Sequence, residues 1–67
     1  MMQVFSVSVY TGGNYSGVIW FKSQSDFENH PRDPNKTYTP QGYVYQPVMD
    51  IVNEVVANGY CERDLLI

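Results

Sequence analysis

Two side chains in this chain of 67 residues carry the chemistry of covalent catalysis, His30 and Cys61, and each is the sole residue of its type. A thiolate becomes a nucleophile when a neighbouring imidazole takes its proton, but a working pair also needs a third group to orient the base and an oxyanion hole. No motif supplies either. A zinc site would have to recruit remote carboxylates, since no two ligands stand at the close spacing that metal sites use. His30, next to Pro31, reads as a loop residue, and Cys61 reads as a small apolar packing group. Asp26, Glu28 and Asp33 gather three carboxylates in one stretch, and paired carboxylates do acid–base work when one of them is desolvated. Negative charge beside a helix start explains Asp26 and Glu28 without catalysis. The expectation is a non-enzymatic protein with no catalytic residue, no metal and no cofactor.

The side chains that remain are suited to binding. Six tyrosines are many for this length, and Tyr38, Tyr43 and Tyr45 crowd one proline-containing stretch and its exit. Tyrosine combines a large contact area with a polar tip at low entropic cost, which is why interfaces are rich in it. A predicted helix near the C-terminus carries Asp50, Asn53, Glu54 and Asn58 on one face, with no Lys or Arg among them. Asp50 and Glu54 stand four apart, where like charges repel by roughly 0.2–0.5 kcal/mol. A basic partner turns that small cost into attraction, whereas the plain alternative is an ordinary solvated face. The predicted partner-binding residues are Asp33, Tyr38, Tyr43, Tyr45, Asp50, Asn53 and Glu54. Four Lys plus Arg against seven Asp plus Glu give a net charge of −3 and a pI near 4.6. That balance argues against direct nucleic-acid binding and against an anionic membrane surface. An aromatic platform for single strands also wants a basic groove, which Lys22, Arg32 and Lys36 are too few to build.

The elements that must position these residues follow from periodicity. In "FSVSVYTGGNYSGVIWF", Phe5, Val7 and Val9 alternate with Ser6 and Ser8, the period of a half-buried strand over 3–10. A second strand over 15–22 has no cleanly polar side, so cover is expected on both faces. Gly12 and Gly13 accept positive φ without steric cost, so "TGGN" is a hairpin turn; a phosphate loop would lead into a helix, and a strand-forming run follows instead. Ser25 and Glu28 have capping-box spacing for a helical turn starting at Asp26. The three prolines between Pro31 and Pro40 predict a long surface loop, either a functional segment or a simple crossover. Residues 43–45 make a candidate short third strand. Pro47 and Gly59 bracket a helix over 47–58, in which Val48, Ile51, Val52, Val55 and Val56 form one buried stripe bordered by Met49. In "QPVMDIVNEVVANGYCERDLLI", residues 60–62 make a candidate returning strand, and Leu65 to Ile67 an apolar tail that caps the core or meets a partner.

The fold class expected is α+β: an antiparallel β-hairpin, extended to a three- or four-stranded sheet, packed against one C-terminal helix, in a single domain over 1–67. With a single cysteine no internal disulfide framework exists, and the N-terminus alternates without a basic flank, so a reducing, cytoplasmic location with no membrane span is expected. In size, acidity, strand–strand–helix order and tyrosine-rich surface, the hairpin "FSVSVYTGGNYSGVIWF" and the acidic helix "QPVMDIVNEVVANGY" resemble small phage-encoded inhibitors, among them some anti-CRISPR proteins. The resemblance implies a protein that binds a basic surface of a host protein or nucleoprotein complex and blocks it sterically. The alternative is a small structural or assembly protein, a homodimer formed through a sheet edge and the apolar tail.

Overall fold

The computed structural model describes residues 2–65. The fold is α+β, a four-stranded antiparallel sheet with two short helices: β1 (Met2–Thr11), β2 (Asn14–Phe21), α1 (Gln24–Asn29), β3 (Lys36–Gln46), α2 (Met49–Asn58) and β4 (Tyr60–Asp64). The sheet order is β3-β1-β2-β4, so the hairpin is central and β3 and β4 are its edges. Gly12 and Gly13 have φ of 60° and 83° between the paired residues Thr11 and Asn14. Two successive positive φ angles match the right-handed twist of the flanking strands, which is the chain reversal the glycine pair predicts.

The sheet is covered on both sides, as the second strand leads one to expect, but by two helices and not by one C-terminal helix alone. Phe5, Val7 and Val9 of β1, with Ile19 and Phe21 of β2, form a core under Phe27 of α1, with Tyr38 packed against it. On the reverse face Val4 packs with Val55 of α2 and Cys61 of β4, flanked by Met2, Trp20 and Ile51. The serines of β1 therefore do not face open water: Ser6 is buried and Ser8 half-buried. Within α2 the stripe is narrower than predicted, because Val52 and Val55 are buried whereas Val48, Met49 and Val56 are exposed. The helix begins at Met49 with Val48 as its N-cap, not at Pro47, and it ends at Gly59 in the left-handed region, as expected. Val48 offers no side-chain oxygen to the first turn. The buried Gln46 acts instead on the cap itself, its Oε1 accepting from the Val48 amide at 3.1 Å.

Two further boundaries differ from the sequence reading. The N-cap of α1 is Ser23, not Ser25, and its Oγ accepts from the Asp26 amide. The proline-rich stretch is not one long loop, because β3 starts at Lys36 and takes in Pro40. Ser6 pairs with Gly42 and Val7 with Pro40, which leaves Gln41 as an extra, bulged residue. A proline lacks the amide that a central ladder needs, and an edge strand at a bulge is where that loss is tolerated. A second bulge lies between Val9 and Tyr10 of β1, where Ser16 of β2 is the extra residue. Its hydroxyl donates to the Val9 carbonyl at 3.2 Å, so the interrupted ladder leaves that group bonded. Next to it, a Cβ on Gly17 would lie 2.7 Å from the Arg63 carbonyl oxygen, so close pairing of β4 on β2 requires glycine there.

Candidate protein interface

In antiparallel pairing, directly opposed residues share a face of the sheet. Tyr38 lies opposite Val9, Tyr43 opposite Phe5 and Tyr45 opposite Gln3, so all three predicted tyrosines belong to the face that α1 covers. Tyr43 stacks edge-on against Phe5 at 5.2 Å between centroids, and its hydroxyl accepts from the Gln24 amide at the start of α1 at 3.0 Å. The Gln24 side chain in turn donates to Glu28 within α1 at 3.4 Å. Tyr43 and Tyr45 remain 53% and 59% exposed, which makes them the aromatic groups most open to a partner in this region.

Tyr38 and Asp33 do structural work. The Tyr38 hydroxyl accepts from the Asp33 amide at 3.1 Å, and the Asp33 carboxylate accepts from the Asn35 amide at 2.8 Å, closing the turn into β3. Arg32 binds the same corner: its Nη2 donates to the Phe27 carbonyl at 2.9 Å, and its guanidinium lies 4.0 Å from the Phe27 ring centre and 5.5 Å from that of Tyr38. A planar cation over two rings shields them from water while keeping its own hydration at the rim. The tyrosine side of the molecule is therefore mixed in charge, with Asp26, Glu28 and Asp33 around the α1 end and Arg32 among them.

Asp50, Asn53 and Glu54 lie on α2, across the sheet from the tyrosines, so the structure does not bring the two halves of the predicted surface together. Asp50 and Asn53 are exposed. Glu54 is not an unrelieved acid: Arg63 of β4 forms an ion pair with it, and the Cys61 thiol donates to the same oxygen at 3.3 Å. The Arg63 bond, followed by the Cys61 bond, holds the Glu54 carboxyl below its ordinary value of 4.5. Arg63 also feels the charge of Asp50. The expected carboxylate repulsion is thus offset by a cation from a strand that helix periodicity cannot reveal.

The Cys–His pair is ruled out by position. His30 is packed against Phe21 and Tyr60, at 5.1 and 4.7 Å between ring centroids, on the α1 face. Cys61 lies opposite Trp20 and packs with Val4 and Val55 on the other face. Burial, and then the bond to Glu54, push its thiol up from 9.0 to about 11, so it is protonated at neutral pH. A thiol in that state is a poor nucleophile. Among the described residues no three His, Cys, Asp or Glu side chains are grouped to hold a metal ion, and no helix is long and apolar enough to cross a membrane.

Sequence reasoning missed the exposed apolar residues that neighbour Tyr43 and Tyr45 along the chain. Val44, Val48 and Met49 are also exposed, so five large apolar or aromatic side chains open to water fall within residues 43–49. The signal was present: residues 37–49 contain no charged side chain. Leu65 is exposed, and the remainder of the predicted tail, Leu66 and Ile67, lies outside the described residues. No known protein family, curated protein or solved structure matches the chain.

Proposed function

We propose that this chain is a non-enzymatic protein-binding inhibitor or modulator, acting in the cytoplasm in the manner of the small phage-encoded inhibitors it resembles. It covers a basic face of a host protein or nucleoprotein complex and excludes that face from its normal ligand. The observation that carries this reading is the concentration of exposed Tyr43, Val44, Tyr45, Val48 and Met49 in one run of sequence without a charged side chain. Aromatic anchors of this kind supply binding energy, and net charge steers a partner of the opposite sign. The net charge of −3 selects a basic partner. Asp50, Asn53 and Glu54 form a second acidic surface on α2, with Glu54 partly neutralised by Arg63.

Affinity capture from host lysate at low salt, followed by mass spectrometry, tests the proposal. The expected result is a basic protein retained by the native chain, lost with Tyr43→Ser plus Tyr45→Ser, and weakened by Asp50→Lys plus Glu54→Lys. Retention that neither pair of substitutions changes, or no specific protein at all, overturns it.

A further inference from the structure

We infer that the outer edge of β3 is a self-pairing surface, on which a second copy of this chain docks antiparallel about a two-fold axis at Val44. Among the described strands β3 pairs with β1 alone, so alternate amides and carbonyls along its outer side are turned away from the sheet. The two edges are protected very differently. β4 is five residues long and carries Glu62, Arg63 and Asp64, whereas β3 is eleven residues long and has no charge beyond Lys36 at its start. Sheet edges are normally guarded by charge, proline or bulges. Pro40 and the bulge at Gln41 guard the first half of β3, and nothing of that kind guards 43–46.

The unguarded part is self-complementary. A two-fold interface requires that if residue i meets residue j of the other copy, j also meets i. Tyr43-Val44-Tyr45 reads the same in both directions, so an antiparallel pairing centred on Val44 sets Val44 against Val44 and each Tyr43 against Tyr45 of the second copy. Aromatic cross-strand pairs are among those that stabilise sheets. Because opposed residues share a face, the four tyrosines fall together on the α1 side and the two valines on the α2 side. Two copies that each carry −3 also meet with least repulsion along a charge-free segment.

The purified full chain tests this without any host partner, so its outcome is independent of the function proposed above. Sedimentation velocity from micromolar to near-millimolar concentration should show the mass double. Val44→Lys opposes two like charges across the axis and should leave a monomer with unchanged far-UV circular dichroism. Mixing the Val44→Lys and Val44→Glu variants should restore the dimer, a result that an unfolded variant would not give. A native chain that stays monomeric throughout, including one that instead takes up an added extended peptide, overturns the inference. So does a dimer that survives Val44→Lys, or a mixture that fails to associate.

Discussion

At the scale of single residues, the group formed by Glu54, Arg63 and Cys61 gives the molecule two opposite responses to pH. Because the Arg63 and Cys61 bonds lower the Glu54 pKa in the fold, the folded state binds that proton less readily than the unfolded chain. The stabilisation is complete above the ordinary value of 4.5 and is lost as pH falls through the lowered one. The pair is exposed to solvent and salt, which keeps the effect modest. Glu54→Gln should therefore flatten the acid side of a plot of stability against pH, measured by urea unfolding. Cys61 works in the other direction: its folded state holds the proton more tightly, so its contribution is intact below pH 9.0 and is lost between there and about 11. Iodoacetamide at pH 8 should label the folded chain far more slowly than the urea-unfolded chain, and equal rates would contradict the buried placement of Cys61. None of this was visible in the sequence. Asp50 and Glu54 are readable as neighbours on a helix, but Arg63 reaches Glu54 only through the packing of β4 next to α2.

At the scale of elements, local chemistry was legible where one residue type has one structural use. Gly12-Gly13 marked the hairpin and Gly59 the end of α2, both in the left-handed region. It was misleading where the fold permits an exception, as for Pro40, whose missing amide is tolerated because β3 is an edge strand with a bulge. The alternation of β1 taken alone suggested one open face, since Ser6 looks polar in sequence yet lies buried, whereas the apolar residues on both sides of the second strand pointed to cover on both. The orientation of α2 can be tested directly. Val55 is fully buried and Val56 is 60% exposed. Val55→Ala should cost about 1.5–3 kcal/mol from lost apolar burial and a residual cavity, and Val56→Ala should stay within about 0.5 kcal/mol. Similar losses from the two in thermal or urea unfolding would mean that α2 is rotated. Gly17→Ala tests how β4 docks: a Cβ would sit 2.7 Å from the Arg63 carbonyl oxygen, and such overpacking should cost about 1–3 kcal/mol.

At the scale of the whole molecule, a thin sheet carries separate surfaces. The tyrosine face with α1 and the acidic face with α2 are back to back, so the sequence picture of one acidic, aromatic patch becomes two faces joined by the uncharged edge of β3. A chain this small has a narrow stability margin, and leaving Tyr43, Val44, Tyr45, Val48 and Met49 in water gives up core area that it could otherwise use. A partner that covers them recovers that area. Because the net charge of −3 steers encounter, capture of the host protein should weaken as salt is raised from low to physiological strength, whereas pairing of two copies through the neutral edge should not. The most direct measurement is photocrosslinking inside host cells from a photoreactive phenylalanine analogue at position 45. The expected result is a covalent adduct between position 45 and a basic protein other than this chain. No adduct with another protein from position 45 would contradict it.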